Sequence, residues 1–334
     1  LRQALIDKNC SFIDYEVIRD KEGKSLVGTS KLAGIVGAFN TIRALGEFLL
    51  IKGAPQSGEE RKKIRTPFLQ AGSAYMYESY NECVQKLHQI RDSLKSKPDR
   101  IAANCGPIIA GILGMGTVGQ GAKEIFIELG AEEITSDQLT KIDELDSSKL
   151  YYVALGRKHF LQRDGKEEFN EEDYQENKDK YETVFHNKYL PKLSVLINCI
   201  GWSPDCPKLL TSDQMNQVLD NSGNRLCAIG DVTCMPNGPV EFLTVKRTSE
   251  SPFFYYDAEN GVSETSKAAS ENSIIYLSVE NLPAELPKDA SKMFEDSLTE
   301  YLKEISEKGE VEYKTLNAEL KTGNIIYKGE ITEA

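Results

Sequence analysis

The sequence predicts an α/β fold whose main domain is a parallel sheet covered by helices. Three observations carry that prediction. Short β-branched apolar runs alternate with helix-like stretches, as parallel strand–helix–strand units require. Gly114, Gly116 and Gly119 stand in G-x-G-x-x-G order between such a run and a helix. The length, 334 residues, exceeds what one compact core usually supports, so two domains are expected.

The elements follow in order. "LRQALIDKNC" is helical in pattern and "SFIDYEVI" alternates like a strand, with "KEGK" as a turn. In "TSKLAGIVGAFNTIRALGEFLLIKG", Leu32, Ile35, Val36, Phe39, Ile42, Leu45 and Leu49 recur at three- and four-residue steps. That predicts one long amphipathic helix, capped by Thr29 or Ser30 and stopped by Gly53. "ESYNECVQKLHQIRDSL" is a second helix. "PIIAGILG" suits a strand buried on both faces. A helix then runs to Gly130, followed by strands at "EEIT" and "YYVAL". Residues 161–190 are polar and charged, which predicts a solvated surface insertion. "LSVLINCIG" (strand), "TSDQMNQVL" (helix capped by Thr211 or Ser212) and "RLCAIGDV" (strand) complete the alternation. Beyond about 246 the chain becomes aromatic and turn-rich at "SPFFYYDAENG". "NSIIYLSV" reads as a strand, "MFEDSLTEYLKEI" as a helix, and the tail as a closing ribbon or a loose end. No internal repeat is visible.

Composition narrows the function. Apolar residues make up 40% and charged residues 28%, the profile of a globular protein. A net charge of −12 argues against nucleic acid, whose phosphates need clustered Lys and Arg. No uninterrupted apolar run of about 18 residues is evident, so no membrane span is expected. The seven cysteines show no C-x-x-C pair and the three histidines are scattered, so no metal site is expected. An odd cysteine count without a framework reads as reduced thiols in an intracellular, cytoplasmic or mitochondrial protein. The chain opens on Leu1 and directly into a helix, which suggests sequence missing upstream together with any targeting signal.

The glycine motif has the context of a dinucleotide site. The first glycine turns tightly, the second admits a pyrophosphate, and the third lets helix and strand pack. Thr117 and Val118 open the helix, whose amide N–H groups and dipole favour a phosphate. A bare turn and a methyltransferase-type nucleoside site are the alternatives. NAD sites usually carry an acid about 20 residues on, at the second strand tip. Here Thr135, Ser136 and Asp137 follow that strand without an acid at its tip, while Arg157 and Lys158 follow the next strand. Those cations suit the 2′-phosphate of NADP(H), with NAD(H) as the alternative.

The chain resembles a known family through blocks in a fixed order. These are "FIDYEVIRDKEG", "LAGIVGA", "RTPFLQAG", the glycine motif with "GQGAKEIFIELG", "ALGRKHF", "LINCIGW", "AIGDVT", "GPVEF", "YYDAENG" and "VENLPAELPKDAS". Together they resemble the lysine-ketoglutarate reductase part of bifunctional aminoadipic semialdehyde synthase. They are also similar to lysine-forming saccharopine dehydrogenase and, more distantly, to alanine dehydrogenase.

The resemblance implies a Rossmann-type domain plus a discontinuous α/β substrate domain, truncated here at its N-terminus. The expected division is 1–30 as a remnant of the substrate domain, 31–245 as linker helix and Rossmann domain, and 246–334 as the returning segment. It also implies NADPH-dependent reduction of the imine of L-lysine and 2-oxoglutarate to saccharopine. That reaction needs a general base and a general acid, cationic clamps for carboxylates, and a cleft that closes against water. A fused downstream saccharopine dehydrogenase domain and a homo-oligomer remain open.

Residue by residue, the resemblance makes Glu16 a catalytic or substrate-binding acid. Asn198, Cys199, Ile200 and Gly201 become a loop along the cofactor ribose, and Asp231 an acid near the nicotinamide. Asn281, Leu282 and Pro283 become a loop whose backbone faces the cofactor. Three departures stand against it. Ser25 replaces an arginine, leaving Lys24 as a clamp without a bidentate fork. Met235 replaces a second acid, and no residue matches the family's catalytic lysine and histidine. The chain alone is therefore expected to be weak or inactive. A non-catalytic NAD(P)-binding or regulatory module and an alanine dehydrogenase-like oxidoreductase stay as alternatives.

Overall fold

A computed structural model describes residues 1–52, 66–98, 106–164, 168–265, 272–308 and 315–332. Two compact units make up the chain, one of Ser30–Leu286 and one of Leu1–Thr29 with Pro287–Ala334. In chain order the strands begin with β1 (Phe12–Ile13), β2 (Ile108–Leu113), β3 (Glu132–Glu133) and β4 (Leu150–Leu155). Then come β5 (Leu161–Arg163), β6 (Tyr181–Thr183), β7 (Val195–Asn198) and β8 (Ala228–Asp231). The last are β9 (Phe253–Asp257), β10 (Gly261–Ser263), β11 (Ile274–Leu277), β12 (Asn324–Tyr327) and β13 (Glu330–Ile331).

The large unit is an α/β layer structure around an eight-stranded sheet of order β10-β9-β11-β8-β7-β2-β4-β3. From β11 to β3 every pairing is parallel, and only β9 and β10 run against their neighbours. Every residue of β2 is buried, as its uninterrupted apolar run requires with helices on the faces. The chain runs outward from β2 to β3 and β4, then returns to β7 on the other side of β2. This is the switch point at which open α/β sheets bind ligands.

The Ser30–Lys52 helix departs from the expected one-faced amphipathic helix, because it is buried almost all round. Its glycines explain how. A Cβ at Gly34 would fall 1.8 Å from the Val118 carbonyl oxygen, and one at Gly121 would fall 2.1 Å from that of Lys31. The backbones of this helix and the Thr117–Glu128 helix therefore touch. Thr41 fills the space left by Gly230 of β8, and Gly46 packs on the backbone of Phe68 and Leu69. Length and composition would let Ser30–Ile51 cross a membrane, which corrects the expectation that no such stretch exists; Asn40, Thr41 and Arg43 mask it in the sequence. Yet 78% of that window is buried in the protein, which marks a core helix. The expected stop at Gly53 lies outside the described residues.

The large unit also runs past the expected break at 245/246. "PFFYYD" is not an irregular turn: Phe253–Asp257 is a buried strand, and β9, β10 and β11 extend the same sheet. Residues 161–190 likewise do more than cover the surface. β5 and β6 form an antiparallel ribbon, and Tyr174, Tyr181, Phe185, Tyr189 and Leu190 join the main core. Their aromatic rings drive the folding of a segment whose acids dominate its composition.

The small unit holds an antiparallel sheet of order β1-β12-β13. The expected strand at "SFIDYEVI" is cut short, because the Asp14 side chain accepts from Glu16 N and caps a single turn at Tyr15–Val17. Ile18, Val27, Leu316 and Leu320 form its core beside the Pro287–Lys308 helix, whose Phe294 meets Tyr15 edge-to-face at 5.0 Å. The tail is thus a paired ribbon.

Candidate functional site

A cleft of about 890 Å³ opens at the carboxyl ends of β2, β4 and β7, all within the large unit. Register brings three loops together there, since Leu113 pairs with Leu155 on one side and with Asn198 on the other. The loops that follow, at Gly114–Gly116, Gly156–Phe160 and Cys199–Trp202, line the cleft.

Each glycine of the motif has a distinct task. Gly114 adopts φ +94°, and a Cβ there would fall 2.5 Å from the Cys199 carbonyl oxygen. It therefore needs both the left-handed conformation and the missing side chain. A Cβ at Gly119 would fall 1.9 Å from Gly114 O, so this residue lets the helix sit on the turn. Gly116 is different: its φ is ordinary, and nothing lies within 4 Å of a Cβ built on it. Its openness faces the cleft. No side chain caps the N-terminus of the Thr117–Glu128 helix, where Thr117 and Val118 present amide N–H groups. An open glycine turn below an uncapped helix fits a pyrophosphate.

The sheet order changes where the ribose-reading residue must be sought. β3 lies at the edge, and β4 is the strand beside β2. The tip that would carry an acid in an NAD site is thus Gly156-Arg157-Lys158, and both side chains line the cleft. Thr135 instead caps the Ser136–Thr140 helix, with Asp137 in its first turn. His159 Nδ1 accepts from Gly156 N at 3.0 Å and so braces the turn, and burial lowers its pKa.

The opposite wall comes from the insertion and from the loop after β7. Phe169, Glu171 and Tyr174 line it with Trp202, Cys206 and Pro207. Phe169, Tyr174 and Tyr181 form an aromatic cluster with centroids 5.2–5.6 Å apart. Lys178 Nζ reaches Asp205 at 2.7 Å and ties the two segments. Burial opposes ionisation of Cys206, but the Ser203 and Tyr174 hydroxyls and the Lys178 charge outweigh it and hold the thiol below its ordinary pKa. Burial and the Asp231 charge push the Cys199 thiol far up. Sequence reasoning missed this wall; its signal was the spaced aromatics inside the acidic insertion.

Other expected site residues lie elsewhere. Asp231 is 0% exposed and does not line the cleft. Its carboxylate accepts from Asn198 Nδ2 (2.8 Å), Tyr276 OH (2.6 Å) and Cys234 N (3.1 Å), and burial raises its pKa. It anchors the loops around it from inside the core. Leu282 is buried against Gly37 of the long helix, flanked by an exposed Asn281 and a half-buried Pro283; none of them lines the cleft. Nearby, Glu285 is buried and accepts from Asn40 and Ser249, a polar strut in the core. In the small unit, Glu16 and Lys24 are exposed, and Lys24 N donates to Asp20 in a turn that Ser25 closes by bridging to Arg19. Met235 is 39% exposed. Among the described residues no cluster of metal-ligating side chains occurs.

Comparison with known proteins finds relatives of the chain by sequence. Over 324 residues the chain is 29% identical to mouse mitochondrial alpha-aminoadipic semialdehyde synthase, covering 91% of this chain and 33% of that protein. The bovine mitochondrial enzyme is 30% identical over the same shares, and the Arabidopsis thaliana enzyme is 29% identical over 99% of this chain and 31% of its own length. The chain is thus similar to these synthases over nearly its whole length. It spans about a third of the length of these curated synthases. Residues 258–334 of the chain match the family "Alanine dehydrogenase/PNT, C-terminal domain". A solved L-alanine dehydrogenase shares 15% identity with it at a TM-score of 0.49, covering 98% of this chain and 68% of that one.

Proposed function

We propose that the large unit binds a nicotinamide dinucleotide and that the protein is the lysine–2-oxoglutarate reductase part of a saccharopine-forming enzyme. One observation carries the cofactor reading: the cleft at the switch point joins an open glycine turn, an uncapped helix N-terminus and a cationic tip on the strand beside β2. Similarity to the synthases supports the reaction. Bound there, a nicotinamide would supply hydride chemistry. Gly114, Gly116, Thr117, Val118 and Gly119 would hold the pyrophosphate, Arg157 and Lys158 a 2′-phosphate, and Cys199, Ile200 and Gly201 the second ribose. NADP(H) is favoured over NAD(H) because cations, rather than an acid, occupy the β4 tip. Glu16 and Lys24 remain the proposed substrate residues, as an acid and a carboxylate clamp. Asp231, together with Asn198, positions the Cys199–Gly201 loop, and Asn281, Leu282 and Pro283 support the core.

Titration with NADPH and NADH, followed by nicotinamide fluorescence, tests the cofactor reading, and NADPH is expected to bind more tightly. Lysine- and 2-oxoglutarate-dependent NADPH oxidation tests the reaction. Nucleotide binding without that turnover, even after the sequence is extended upstream to match its relatives, would favour a regulatory dinucleotide-binding module.

A further inference from the structure

The cleft holds a carboxylate that a simple 2′-phosphate pocket does not require. Glu171, the first residue of the Glu171–Glu176 helix in the insertion, lines the same cleft as Arg157 and Lys158. Its Oε1 lies 2.5 Å from Arg157 Nη1, and Gln175 Nε2 donates to the same oxygen at 2.9 Å. The guanidinium carbon of Arg157 also sits 5.5 Å from the Tyr174 ring centroid. Two residues of the insertion therefore hold Arg157 at once.

We propose that Glu171 sets the nucleotide preference of this cleft, by engaging Arg157 in an ion pair that a 2′-phosphate must open. The inference rests on the dinucleotide reading above. A guanidinium shared with a carboxylate has fewer free N–H donors for a phosphate, and the carboxylate repels a dianion placed beside it. A ribose with a free 2′-hydroxyl meets the opposite situation. It can donate to Glu171, which then does from the insertion what an acid at the strand tip does in NAD sites. The side chains of Arg157 and Glu171 are 46% and 54% exposed, so the pair can open without unfolding its surroundings. The charged insertion is thus a selectivity element at the nucleotide's 2′ position.

The test uses the full chain with NADPH and NADH in wild type, Glu171→Gln, Arg157→Ala and the double variant. Gln keeps the size of Glu171 and a partner for Gln175. In Glu171→Gln the ratio of NADPH to NADH affinity is expected to rise about tenfold, through tighter NADPH and weaker NADH binding. The NADPH gain should shrink markedly in the Arg157→Ala background, where only the direct repulsion by Glu171 is left to relieve, and should shrink at high salt. Binding of both nucleotides with an unchanged ratio in Glu171→Gln overturns the role of Glu171. A gain that survives in full without Arg157 overturns the ion-pair mechanism. Binding of neither nucleotide by wild type overturns the dinucleotide reading, and the selector falls with it.

Discussion

The side-chain amide of Asn198 donates to Oδ1 of Asp231 at 2.8 Å, on the rung where β7 and β8 end. Asn198 Oδ1 in turn accepts from Ile200 N at 3.4 Å, and Thr233 Oγ1 donates to Ile200 O at 2.8 Å. A carboxylate with no exposed surface thereby fixes a loop that lines the cleft.

Asp231→Ala would leave the Asn198 amide, the Tyr276 hydroxyl and the Cys234 N–H without their acceptor inside the core. Denaturant unfolding should show a loss of about 3 kcal/mol. Asp231→Asn keeps the shape and should fold, and its value lies in the pH dependence. Because burial raises the Asp231 pKa, the folded state holds this proton more tightly than the unfolded state. Its contribution to stability is fully present below the ordinary carboxylate range and is lost as pH rises through the raised folded value. Relative to Asp231→Asn, wild type should gain stability on acidification through that window. Parallel pH profiles for the two proteins would remove the assignment.

Gly116 and Gly119 separate binding from folding. Gly119→Ala forces a Cβ to within 1.9 Å of a carbonyl oxygen, and should cost about 3 kcal/mol in thermal or chemical unfolding. Gly116→Ala meets no atom within 4 Å and should leave unfolding unchanged. It should still weaken NADPH binding by about tenfold or more, because the methyl group fills the space a pyrophosphate needs. Unaltered NADPH affinity in a folded Gly116→Ala protein would mean that no pyrophosphate lies on this turn.

The two cleft thiols should react very differently. Cys206 is held below the ordinary thiol pKa and Cys199 far above it, so Cys206 should be alkylated at least about tenfold faster near neutral pH. Mass spectrometry of peptides after brief iodoacetamide treatment reads both rates in one sample. NADPH should protect Cys206, which lines the same cleft. Equal labelling of the two cysteines would contradict the electrostatic picture of this wall.

Gly34 tests the helix crossing. A Cβ there would lie 1.8 Å from Val118 O, at the first turn of the helix that faces the phosphate site. Gly34→Ala should cost about 3 kcal/mol of stability and weaken NADPH binding together, because the helix can escape only by moving its N-terminus. A stable variant with unchanged binding would show that this contact relaxes without involving the turn.

Periodicity and local chemistry made much of this protein legible in its sequence. The β2 run, the glycine motif and the Thr211 cap depend on residues close together in the chain, where three- and four-residue steps or strand alternation carry the information. The tasks of Gly114 and Gly119 were readable for the same reason, and so was the resemblance to the synthases. What tertiary structure alone decided is lateral order. Nothing in "EEIT" or "YYVAL" tells which strand pairs with β2, yet that choice places Arg157 and Lys158 at the tip beside the glycine turn. Pairing across the sheet also buried Asp231 under Tyr276, 45 residues away, where its carboxylate holds the neighbouring loops. The insertion shows the same limit: its acids dominate the composition, but its few aromatic rings decide the packing. A strand records its own period, whereas its neighbours are set by how the whole core closes.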